Sequence, residues 1–162
     1  MKHAMTHGLL CLMSAVCLAK PVSDTTGSYS VEVPDNWKAA ADARGLGLAN
    51  SNWFTSPDGK HAVAVGSAPI KAAQAKLSLD DFAKVFGQLL AKQGFQGSIT
   101  AATIGGQDAR VIQSVDSKGS RSALLVTRKD KTVAATILIS GGQTEVYTSC
   151  LNQLANGFHW LK

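Results

Sequence analysis

The sequence predicts an α/β/α sandwich: one domain whose central, largely antiparallel sheet carries a helix on each face. Three observations lead there. First, residues 109–116, 122–128 and 132–140 are β-branched or apolar runs separated by Ser117-Lys118-Gly119-Ser120-Arg121 and Lys129-Asp130-Lys131. Short links of Gly, Ser, Asp and Lys between such runs are hairpin signals, so the three form an antiparallel meander. Second, Val133-Ala134-Ala135-Thr136-Ile137-Leu138-Ile139 is apolar on both parities. A strand with one wet face alternates, so this strand needs cover on both sides. Third, two segments, 78–94 and 144–157, carry apolar residues at helical spacing and supply that cover from opposite faces.

The elements follow in chain order. Residues 20–27 are small and polar and read as a loose lead-in. Ser28-Tyr29-Ser30-Val31-Glu32-Val33 alternates strictly, the pattern of a half-buried strand, and Pro34-Asp35-Asn36 ends it with turn chemistry. Trp37 then plugs the sheet's edge. Residues 38–44 are Ala-rich and read as a short helical turn. Trp53-Phe54 is the strand-like part of residues 45–55, and Ser56-Pro57-Asp58-Gly59-Lys60 is a turn, Pro and Gly presetting its dihedrals. Residues 61–65 alternate as the return strand, and 68–76 form a polar connection.

Ser78 fits a helix N-cap, with Asp80 and Asp81 favouring the positive end of the helix dipole. Phe82, Val85, Phe86, Leu89 and Leu90 then form a single apolar stripe, and Gly94 stops the helix. Phe95 folds back on the core. Residues 98–104 make a short strand that Gly105-Gly106-Gln107-Asp108 turns into the meander. Gly141-Gly142 breaks the chain before the second helix, in which Tyr147, Cys150, Leu151 and Leu154 share a face; Gly157 stops it, and Phe158 and Trp160 anchor the end.

Composition bounds the function. The chain has 162 residues, 45% hydrophobic and 17% charged, with a formal charge of +5. That is one folded domain rather than a disordered chain. Its cations are scattered, with only Arg128-Lys129 adjacent, so the basic stripe that nucleic-acid binding requires is missing. Lys2 followed by the apolar run 8–18 and Cys17-Leu18-Ala19 reads as an export signal, too short to span a bilayer. Residues 1–19 are therefore taken as a signal peptide and 20–162 as the mature domain, which then has no transmembrane segment and a charge of +4, since only Lys2 is removed. This places the protein in the periplasm. A lipid anchor at Cys17 is the weaker reading, because Val16 stands where a small residue is expected.

Catalytic signatures are missing. The mature chain keeps His61, His159 and Cys150, none in a nucleophile-elbow or ligand-spacing motif. Cys150 lies on an apolar helix stripe, where a thiol is structural rather than reactive. Asp80-Asp81 is explained by capping, and the Gly pairs lack the Lys-Ser/Thr ending of a phosphate loop. No catalytic residue, metal site or cofactor is assigned. Binding function concentrates on rigidly held loop tips. The first candidate is Ser117, Lys118, Gly119, Ser120 and Arg121, whose small polar residues suit a cleft and whose cations suit an acidic rim; Gly105, Gly106 and Gln107 are the second.

Tyr29-Ser30-Val31-Glu32-Val33-Pro34-Asp35-Asn36-Trp37, the 78–94 helix, the Gly-led meander and the closing Gly157-Phe158-His159-Trp160 resemble the PsbP-like fold over residues 28–160. That fold is shared by a photosystem subunit, a Ran-binding import factor and bacterial exported proteins. The resemblance implies a non-enzymatic protein-binding role. By analogy it implies an immunity protein or inhibitor of a secreted cell-wall hydrolase toxin of the type VI secretion kind. The alternative is an envelope accessory protein or lipoprotein binding a small ligand or lipid.

Overall fold

The computed structural model describes residues 18–41 and 50–161. The reading of residues 1–17 as the body of an export signal therefore lies outside the described residues, as do residues 42–44 of the expected helical turn. Among the described residues ten strands and two α-helices are formed: β1 (Ala19–Ser23), β2 (Tyr29–Pro34), β3 (Lys38–Ala40), β4 (Asn52–Thr55), β5 (His61–Pro69), α1 (Leu79–Lys92), β6 (Gln96–Ile104), β7 (Gln107–Val115), β8 (Arg121–Lys129), β9 (Thr132–Ser140), α2 (Thr144–Asn156) and β10 (His159–Trp160).

The chain is strand-dominated and its sheets are antiparallel throughout, so a largely antiparallel α/β fold is present. Seven strands form one sheet in the order β3-β4-β5-β9-β8-β7-β6, and three form a second in the order β1-β2-β10. The expected picture of one sheet with a helix on each face is corrected here. Helix α1 covers one face of the large sheet, its Phe82, Ala83 and Leu90 packed with Ile112, Leu124, Val126 and Ile137. The opposite face is covered by α2 together with the small sheet: Tyr29, Val31, Val33, Tyr147, Cys150 and Leu154 meet Val63, Leu125 and Leu138. Strand β9 sits between these two cores. Ile137 and Ile139 enter one and Leu138 the other, which explains its lack of alternation.

Three local expectations change. Residues 20–27 are not a loose lead-in: most of them belong to β1 and its turn into β2, but β1 is an edge strand in which only Val22 is buried, so no alternation announces it. Residues 38–40 are strand β3, not a helical turn, because pairing with β4 outweighs the helix propensity of alanine. The α1 stripe is also rotated. Ala83 is fully buried, whereas Val85 and Leu89 are 51% and 40% exposed. The inner face is Leu79, Phe82, Ala83, Phe86 and Leu90, and the small Ala83 lets the helix approach the sheet.

The α1 start is as expected, with extra support. Ser78 Oγ accepts from Asp81 N at 3.1 Å and Asp81 Oδ2 accepts from Ser78 N at 2.8 Å, a reciprocal capping box. Asp80 is not a spare cap: it accepts from Arg110 Nε at 2.6 Å, pinning the helix start to β7. At the chain's end, Phe158 and Trp160 do anchor, and His159 and Trp160 pair with Ser30 and Tyr29 as a two-residue strand.

Candidate functional site

Strand register builds one end of the large sheet into a rim. Gln96 pairs with Val115, Val115 with Arg121, Arg121 with Ser140 and Ser140 with His61. The loops leaving these residues therefore cluster: the β7–β8 tip, the β4–β5 turn and the β9–α2 junction. Gly141 N donates to Lys60 O at 2.9 Å, which locks the last two together.

The tip carrying Ser117, Lys118, Gly119, Ser120 and Arg121 is preorganised. Asp116 Oδ1 accepts from Lys118 N at 2.9 Å and from Ser120 N at 2.8 Å, while Gly119 N donates to Asp116 O at 3.1 Å. Gly119 adopts φ +82°, which a side chain would strain. Desolvation works against the Asp116 carboxylate, but these donors hold its pKa below the usual value. Ser117, Lys118, Gly119 and Arg121 are exposed and Ser120 is half-buried. The tip therefore holds its shape without a partner.

Gly105, Gly106 and Gln107 lie elsewhere. They form the β6–β7 turn, at the far end of the nine-residue β7 from the 116–120 tip, roughly 30 Å away at strand rise. The two candidate loops thus belong to opposite ends of the molecule and cannot share one flat contact. Gly105 and Gly106 have φ +57° and +75°, the signature of a tight two-residue hairpin, and a Cβ on Gly105 would come 2.7 Å from the Phe158 ring.

Beside the tip the rim holds an open cleft of about 560 Å³, a grouping that the sequence did not reveal. Its walls are Pro34, Asn36 and Trp37 after β2, Ser56, Pro57, Asp58 and His61 of the β4–β5 turn, and Glu145, Val146, Ser149, Cys150 and Gln153 of α2. It brings His61, Cys150 and two carboxylates around one depression. Their contacts give the buried pair packing roles. His61 Nδ1 lies 2.9 Å from Ser140 Oγ, the ring stacks on Trp37 at 6.2 Å, and its Cε1 edge is pressed against Gly142. Cys150 is 7% exposed on the inner face of α2, within an apolar cluster that includes Tyr147 and Leu154. Alkylation of Cys150 is accordingly expected to be much slower in the folded protein than in denaturant; equal rates would show an accessible thiol.

Asp58 accepts from Ser56 Oγ at 2.6 Å and Lys60 N at 3.0 Å, so its pKa is lowered, chiefly by the Ser56 hydroxyl. Gln153 Nε2 is buried without a hydrogen-bond partner, an uncompensated donor in the cleft wall. Among the described residues no group of three His, Cys, Asp or Glu side chains is placed to hold a metal, and no helix is long and apolar enough to cross a membrane.

No known protein-family model matches the chain, and no protein of curated function matches it in sequence. Solved structures do. Cyanobacterial PsbP from Synechocystis sp. PCC 6803 superposes with a TM-score of 0.64 at 18% identity, covering 93% of this chain and 96% of that one. The fold is PsbP-like. The Ran-binding protein Mog1p of Saccharomyces cerevisiae shares it, with a TM-score of 0.59 at 11% identity over 90% of this chain and 97% of that one. A Bacteroides thetaiotaomicron protein gives 0.57 at 15% identity, over 88% of this chain and 48% of its own length. At these identities the PsbP-like likeness is one of fold.

Proposed function

We propose that the protein is exported and acts by binding another protein rather than by chemistry of its own. On this reading residues 1–19 direct it to the periplasm and are removed. Its partner is a secreted cell-wall hydrolase toxin, and the protein is the immunity factor. Inhibition is steric: the tip from Ser117 to Arg121 enters the partner's cleft, and Lys118 and Arg121 face an acidic lip.

The observation that carries this reading is the tip itself, rigid through Asp116 and projecting beside the rim cleft. A preorganised loop loses little conformational entropy on binding. One PsbP-like neighbour is a Ran-binding protein, which fits a fold used for partner recognition.

Pull-down from a periplasmic extract of the producing cell and its competitors is expected to recover one saturable protein partner; none at any concentration would end the reading. Exchanging Ser120 for Ala and Arg121 for Glu is expected to raise the partner's off-rate about tenfold or more with the melting temperature unchanged. Unchanged affinity would clear the tip of the role.

The cleft supports a second reading, an envelope accessory protein that holds a small ligand. The unpartnered Gln153 Nε2 favours it, since a ligand acceptor would satisfy that donor. Native mass spectrometry showing a co-purified small molecule, released by Gln153→Leu, would favour this second reading.

A further inference from the structure

Strand β6 ends the large sheet, and its outer edge has no neighbour among the described strands. It is nine residues long, and six of its first seven residues and Thr103 are exposed. Long edges are ordinarily blunted by Lys, Pro or inward charge. Gln96-Gly97-Ser98-Ile99-Thr100-Ala101-Ala102-Thr103-Ile104 has neither charge nor proline. The opposite edge, β3, is only three residues long.

The register states which backbone groups face outward. The two-residue turn makes Ile104 and Gln107 a hydrogen-bonded pair, so the even-numbered residues of β6 bond to β7. The other side of β7 agrees: Asp116 N donates to Ser120 O, so even-numbered residues there bond toward β8. Gly97, Ile99, Ala101 and Thr103 therefore present four N–H and four C=O groups to the outside.

We propose that β6 is a dimerisation edge whose occupant is β6 of a second copy, antiparallel about a two-fold axis at Thr100. The four outward residues are symmetric about position 100. Gly97 then faces the second copy's Thr103, and Ile99 faces its Ala101, so all eight groups are paired. The pairing is isologous, and because the strand is uncharged it brings no like charges together. It also covers Ile99, 39% exposed, and extends the floor of the groove of about 400 Å³ that Gly87, Ala91 and Ile99 border between α1 and β6. A two-fold at Thr100 points the two copies' rims in opposite directions, leaving both tips accessible.

The purified protein is expected to sediment at twice the monomer mass as concentration rises. A monomer at every concentration would overturn the proposal. Thr100→Lys sets two cations opposite each other on the axis. It is expected to weaken the dimer about a hundredfold while leaving the melting curve and circular dichroism of the monomer intact. Thr100 faces its own copy in a non-hydrogen-bonded pair with Cα atoms about 4.5 Å apart, within disulfide reach. Thr100→Cys is expected to cross-link on oxidation, whereas Thr103→Cys, facing Gly97, is not. A dimer that survives Thr100→Lys, or fails to cross-link through Thr100→Cys, would place the contact on another face.

Discussion

Tyr29→Ala is expected to destabilise the protein by about 4 kcal/mol, lowering the melting temperature by roughly 15 °C. Tyr29 is fully buried where the two sheets meet. Its ring stacks on Phe158 at 4.9 Å and tilts against Trp160 at 5.9 Å, so truncation opens a cavity lined by both anchors of the C-terminus. Its hydroxyl crosses to the large sheet: it donates to Ala135 O at 2.9 Å, lies 3.0 Å from Thr136 Oγ1, and accepts from Gly66 N at 3.0 Å. Burial raises the phenol's pKa, so it remains a neutral donor across the working pH range. Tyr29→Phe keeps the ring and removes only the hydroxyl, and about 2 kcal/mol is expected to be lost. Equal losses for the two variants, read by thermal denaturation, would assign the whole effect to the hydrogen bonds; no loss for Phe would assign it to the ring.

Asp24→Asn is expected to cost about 3 kcal/mol, or roughly 10 °C. The Asp24 side of the turn between β1 and β2 is 2% exposed, and its carboxylate is fully occupied. Oδ2 accepts from Ser67 Oγ at 2.5 Å, from Thr26 N at 3.2 Å and from the Thr26 hydroxyl, while Oδ1 accepts from Ser28 N at 2.7 Å and Tyr29 N at 3.3 Å. Ser67 belongs to β5, so the carboxylate fastens the small sheet to the large one. Burial works to raise the Asp24 pKa, but the Ser67, Thr26, Ser28 and Tyr29 donors outweigh it and hold the pKa below the usual value. A lowered folded-state pKa means that the stabilisation is complete above the ordinary carboxylate pKa, about 4, and is lost as pH falls below it. The stability gap between wild type and Asp24→Asn is therefore expected to narrow below about pH 4. A gap independent of pH would show that charge is not what Asp24 contributes.

Much of the fold was legible because its main elements declare themselves locally. Ser78 followed by Phe82, Phe86 and Leu90 specifies a capped amphipathic helix, and the links at 117–121 and 129–131 specify the meander. What escaped depends on pairing at a distance. Only Val22 is buried in β1, and β10 has two residues; both become strands because β2 offers them its two edges. Ala39 and Ala40 carry no strand propensity and are held by β4. The candidate site divides the same way. A projecting tip could be read from Gly119 and its polar neighbours, but that Arg121, Ser140 and His61 stand in one row follows from register across three strands. The Trp37–His61 stack joins the turn after β2 to the start of β5, and no spacing in the chain encodes it.

The placement of β10 has a consequence for synthesis. Strand β2 takes its second neighbour from His159 and Trp160, about 130 residues further along the sequence. Until they emerge, Tyr29 lacks both aromatic companions and that side of the small sheet is open. A nascent chain stalled before residue 157 should therefore bind chaperones and be cut readily by protease, while one a few residues longer, clear of the ribosome, should resist. Closure of the small sheet therefore waits on a segment far downstream of the strand it completes.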